Sequence, residues 1–110
     1  RAMRLRAKMC RDWDALLSRY DALLTPTMPN VAPPIDVHFA SFDSSRRRRT
    51  FGSAVNLTGV PGIAVMNGFG ERGLPTSLCI TGRTGSENTL IAIANAYQSV
   101  TDWHTLTPDI

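Results

Sequence analysis

The 110 residues carry 43% hydrophobic side chains and a formal net charge of +3. These are values of an ordinary globular chain, long enough for one small domain or a piece of a larger one, and they exclude a disordered segment. No basic stripe runs along the chain, because four of the twelve Lys and Arg form one run, Arg46 to Arg49, and several others crowd the first twenty residues. Cys10 and Cys79 lack CxxC spacing and neighbouring His pairs, so neither a metal site nor a disulfide framework is indicated. They read as free, buried thiols in a reducing, cytoplasmic setting. Apolar runs are too short to span a bilayer, the first residues are too charged for a secretion signal, and no cofactor is implied.

In chain order, RAMRLRAKMCRDWDALLSRY places Met3, Met9, Cys10, Trp13, Leu16, Leu17 and Tyr20 at helical spacing. Arg4, Arg11, Asp12, Asp14 and Arg19 are left for solvent, and the helix reads as one begun in mid-course because no capping residue opens it. Asp21 to Thr25 suit a short buried strand, after which Pro26, Pro29, Pro33 and Pro34 force an extended loop. Residues 36–50 hold no sustained period and include Ser44, Ser45 and the arginine run, which predicts a mobile surface loop.

Gly62 to Met66 and Thr76 to Thr81 read as two strands of a β-hairpin, with Asn67 to Pro75 between them. That connection spells GFGERG, the spacing of a phosphate-binding loop. Such a loop needs a helix to open at its third glycine, so that free N–H groups face the anion. Here Gly73 is followed by LPTSLCITGR, which has strand composition, so a turn is expected instead. The last helix is predicted after Ser86 as N-cap, with Glu87 complementing its dipole and Leu90, Ile91, Ala94 and Tyr97 at helical spacing. Between Glu87 and Asp102 there is no charged residue, so cover is expected on more than one side, with Ile93 and Ala96 facing a second layer. Two helices and three strands with no disulfide or metal make a poor autonomous core. The expected class is α/β, within a larger protein.

Four blocks carry a resemblance: YDALLTPTMPNVAPP, FGSAVNLTGVPGIAV, GLPTSLCITGR and TLIAIANAYQSVTDWHTLTP. In this order and spacing they resemble the C-terminal part of the amidase signature family, over Asp21 to Pro108. The resemblance implies a fragment of a large mixed sheet, here a few strands with a central hairpin flanked by two helices. It also implies amide C–N bond cleavage, with ammonia passed to a second reaction in the transamidating branch. Family members use a nucleophilic serine, a second serine on a cis peptide and a lysine, all in a Gly/Ser-rich region that nothing in this chain matches. Its single lysine, Lys8, lies on the first helix, and Ser44 and Ser45 have no glycine elbow. No catalytic residue is therefore expected here, and His38 and His104 read as ordinary surface or packing histidines.

What the chain contributes by resemblance is core scaffold and pocket wall, with Thr25, Thr27, Asn56, Thr58 and Gly59 as the substrate-pocket candidates. Set against this, Asn56 can bond neighbouring backbone, Gly59 can permit close packing and Pro61 can fix the start of a strand. The arginine run departs from the family pattern; a solvated loop is the favoured reading over an acidic-substrate entrance or an RNA-facing patch, since no aromatic residues are interleaved with it. Nucleic acid is therefore not an expected partner. The expected partners are the remainder of a parent amidase or a second polypeptide, and a small amide substrate in the full enzyme, with self-association when isolated and no membrane. The alternative is a non-catalytic binding module that retains part of the fold.

Overall fold

The computed structural model describes residues 1–37 and 52–108. Its order is α1 (Ala2–Leu17), β1 (Leu23–Pro26), α2 (Gly52–Thr58), β2 (Gly62–Phe69), β3 (Pro75–Thr81) and α3 (Glu87–Ser99), with 3-10 turns at Glu71–Gly73 and Trp103–Thr105. The α/β expectation holds, with two changes: a third helix, α2, and a sheet that is antiparallel throughout rather than mixed.

The sheet has the order β1-β3-β2. β3 pairs antiparallel with both neighbours, Leu23 and Gly62 lying opposite Thr81 on its two sides. The expected hairpin is present, and its strands run further than the sequence suggested, to Phe69 and from Pro75. Asn67 interrupts the register between Met66 and Gly68, and the Thr76 hydroxyl donates to its Oδ1 at 2.9 Å. The expected connection thus shrinks to a tight turn, in which Gly70 N–H donates to Leu74 O at 2.8 Å and Arg72 sits at φ 60°, ψ 24°. No helix opens at Gly73, so GFGERG is a hairpin turn. Arg72 Nη2 also donates to Ala32 O at 3.0 Å, tying the proline-rich loop after β1 to this turn. Pro26 ends β1 on the sheet's edge, where a strand tolerates the missing N–H.

One face of the sheet carries the core. Val65, Ile80, Leu90 and Ala94 are buried together, with Ala22, Ile63, Leu78, Ile93 and Tyr97 packed against them, so α3 covers this face. Only part of the expected covering of α3 is present, since Ile91 is 57% exposed and Ala96 is exposed too. Ser86 is the N-cap by position, yet its hydroxyl donates to Arg83 O at 2.7 Å and makes no capping bond. The turn through Gly85 brings that carbonyl within reach.

α1 lies chiefly against α2. Arg6 Nε donates to Leu57 O at 2.8 Å and the Cys10 thiol to Thr58 O at 3.7 Å. Because α1 has little of the sheet beneath it, only Leu17 of its apolar set is buried. Met9, Cys10 and Trp13 are half-buried, while Met3, Leu16 and Tyr20 are exposed, against the expectation of a fully covered stripe. The radius of gyration is 15.9 Å and the extents are 44 × 38 × 15 Å. A compact domain of this size has a radius near ~13 Å, so the layers form a slab only 15 Å deep.

Candidate functional site

The five pocket candidates divide into two groups. Thr25 sits in β1 opposite Cys79 of β3, and Thr27 continues the ladder by donating its N–H to Ser77 O at 3.0 Å. Side chains alternate across a strand, which puts Thr25, Thr27, Ser77, Cys79 and Thr81 on the face opposite the core. Cys79 Sγ lies 3.6 Å from Thr81 Oγ1. Gly62 of β2 closes the group: a Cβ there would stand 3.5 Å from Cys79 Sγ, 3.6 Å from Thr81 Oγ1 and 3.7 Å from Val55 Cγ1 of α2. Thr25 and Thr81 are buried, and Cys79 is a free, half-buried thiol.

Thr27 stands apart electrostatically. Its Oγ1 is buried and finds no hydrogen-bond partner, a condition that costs free energy. The sequence pattern alone could not reveal this. It did contain the signal for Ser77, Cys79 and Thr81, which were not singled out as candidates: Thr-Ser-Leu-Cys-Ile-Thr alternates small polar with large apolar side chains, as a strand with two unlike faces must.

The second group occupies α2 and its end, a segment expected to be a turn before a strand. Thr58 is buried and its hydroxyl donates back to Ala54 O at 2.8 Å and Val55 O at 3.1 Å, a bond that suits the last turn of a helix. Gly59 then takes φ +76° and donates its N–H to Val55 O at 2.9 Å. This is the left-handed C′ residue that ends many helices. Asn56 is exposed on the same helix, whereas Val55 points toward the sheet. Propensity failed to mark α2 because Val, Asn and Thr are weak helix formers. Thr58 and Gly59 thus close a helix, and the hydrogen-bonding surface lies with Thr25 and Thr27.

This surface offers hydroxyl and thiol groups without charge, suited to orienting a neutral polar group. Among the described residues no nucleophile is assembled with a base. Lys8 is exposed and bonds Asp12 Oδ2 at 2.8 Å along α1, and His104 is exposed in the last 3-10 turn. His38, Ser44, Ser45 and Arg46 to Arg49, with most of the expected 36–50 loop, lie outside the described residues. Among the described residues no group of three or more His, Cys, Asp or Glu is placed to hold a metal ion, and no helix is long and apolar enough to cross a membrane. A cavity of about 320 Å³ opens between the end of α1 and the start of α3, lined in part by Arg19, Tyr20, Asp21, Arg83 and Ser86. None of the five candidates lines it.

Comparison with known proteins identifies the family. The amidase family model matches residues 1–91. The A-type subunit of glutamyl-tRNA(Gln) amidotransferase from Chloroflexus aggregans is 40% identical over 110 residues, all of this chain and 22% of its own length. Its counterpart from Methylococcus capsulatus is 34% identical over 108 residues, 98% of this chain and again 22% of its own. Among solved structures, the corresponding glutamyl-tRNA(Gln) amidotransferase subunit of Thermotoga maritima superposes with a TM-score of 0.70 at 29% identity, covering 91% of this chain and 22% of that one. The chain therefore spans about a fifth of the length of the relatives it matches, and it belongs to the amidase family.

Proposed function

We propose that the chain is the C-terminal portion of an amidase-type hydrolase cleaving carbon–nitrogen amide bonds. It supplies core scaffold and one wall of the pocket, while the Ser-Ser-Lys machinery comes from a part of the enzyme outside these 110 residues. The observation that carries this reading is whole-length similarity to about a fifth of subunits named for amidotransfer. The four ordered blocks resembling the C-terminal part of the family support the placement. Lys8 agrees with it, being held in solvent by Asp12 where it can activate no serine. Thr25 and Thr27 belong to the wall as part of the β1 edge and its continuation, since the Thr25 side chain and the Thr27 Oγ1 are buried within the chain. The relatives' names make a transamidating amide donor the first substrate class to test. The partner is the remainder of the parent amidase or a second polypeptide, in a cytoplasmic setting.

Two measurements test this. The isolated chain is expected to show no amide or ester hydrolysis above background and no labelling by a serine-directed fluorophosphonate. Labelling at Ser44 or Ser45 would overturn it. Substituting the chain for the matching 110 residues of the Chloroflexus aggregans subunit is expected to give a folded protein that hydrolyses glutamine. A folded graft that is inert would favour a non-catalytic binding module.

A further inference from the structure

The outer face of α3 is unfinished. Leu90 and Ala94 point into the core, whereas Ile91, Ala92, Asn95, Ala96 and Ser99 are exposed. These positions recur at three- and four-residue spacing and so form one surface. From Asn88 to Thr101 the helix and its end carry no charge, unlike an ordinary solvent-facing helix. Beside Ile91 runs a groove of about 240 Å³ lined by Pro61, Gly62, Ile63, Leu90 and Ile91, with Glu87 at its rim. Its walls are mostly hydrocarbon, and it lies where α3 crosses the start of β2.

We infer that this face and its groove seat a helix from the remaining part of the same amidase domain, whose apolar side chain fills the groove beside Ile91. The inference rests on the reading of the chain as part of a larger amidase, and it names the surface through which the parts meet. Two observations commit to this occupant. In the Thermotoga maritima subunit the same fold is embedded in a chain of which it makes up 22%, so most of that protein lies outside the matched region. The face itself is uncharged but not wholly apolar: Asn95 interrupts Ile91, Ala92 and Ala96. Small residues at Ala92, Ala96 and Ser99 let a second helix axis approach closely, at the 8–10 Å typical of packed helices.

The test uses the Chloroflexus aggregans subunit carrying this chain in place of its matching segment, with Ile91→Asp compared against Leu106→Asp. Leu106 is also exposed but lies outside the groove. Ile91→Asp is expected to lower the thermal midpoint by roughly 5 °C or more, the shift expected when a buried side chain becomes charged, and to raise hydrogen exchange along α3. Leu106→Asp should leave both within error. Equal behaviour of the two variants overturns the inference, as does a graft that dimerises through Ile91, since a second copy would then be the occupant. An inert but folded graft in which only Ile91→Asp destabilises would defeat the amide reading while leaving the interface standing. Should the graft not fold, the 110-residue chain alone provides the second measurement. There an apolar fluorescent dye is expected to bind, and Ile91→Asp to reduce that binding where Leu106→Asp does not; equal dye binding by the two variants overturns the inference.

Discussion

The two faces of the sheet are built by opposite means. Toward α3, β3 presents Leu78 and Ile80 to Leu90 and Ala94, a contact made of hydrocarbon. Toward α2 the same strand presents Ser77, Cys79 and Thr81, against Thr25 on one neighbour and Gly62 on the other. The first face is finished within the chain and holds it together. The second is partly covered and leaves the Thr27 hydroxyl unsatisfied, and the helix over it, α2, is tied to α1 by bonds such as Arg6 to the Leu57 carbonyl. A single strand can thus build a hydrocarbon core with one set of alternating residues and a polar face with the other.

The comparison breaks first at Ile80, which is 1% exposed. In the grafted subunit Ile80→Ala is expected to cost about 2–5 kcal/mol through lost transfer energy and the cavity left behind. Denaturant midpoints would show this, and an equal loss for Thr81→Ala would mean that the two faces do not differ. At an intermediate level, Gly59→Ala is expected to cost about 1–2 kcal/mol because φ +76° strains any residue with a Cβ. A smaller loss would mean that α2 can end another way. The smallest effect has the opposite sign. A methyl at Gly62 meets only atoms at 3.5 Å or beyond, so Gly62→Ala is expected to stabilise by roughly 0.5 kcal/mol through the reduced freedom of the unfolded chain. Destabilisation there, read from the same midpoints, would show that the polar face has no room for a methyl.

Much of the first face was legible in the sequence. Leu90 and Ala94 follow a helical period, and β2 and β3 bracket a glycine-rich turn, because local patterns write these features directly. The second face was legible only in part. Thr25 and Thr27 came from resemblance; the alternation along β3 marks Cys79 and Thr81 as one face, but their place beside β1 depends on a pairing that no local pattern encodes. α2 is not marked by local propensity because most of its seven residues, Gly52–Thr58, among them Gly52, Val55, Asn56 and Thr58, are weak helix formers, and it packs against α1. The burial expected along α1 failed for a related reason. Periodicity tells which side of a helix is apolar, whereas cover requires a partner, and within this chain α1 has chiefly α2.

The order β1-β3-β2 also has a temporal side. Leu23 pairs with Thr81, fifty-eight positions further along, whereas β2 and β3 are joined by a tight turn. The hairpin can therefore close within microseconds once both its strands exist, but β1 is made long before its partner. At translation rates of ~5–20 residues per second, β1 waits roughly 3–12 s after synthesis before β3 emerges. Through that interval Leu23 and Leu24 lack their β3 partners, and Pro26 with the prolines that follow gives the segment few N–H groups to offer a wrong ladder. The proline-rich exit from β1 thus doubles as protection for a strand whose partner β3 follows it by fifty-eight positions.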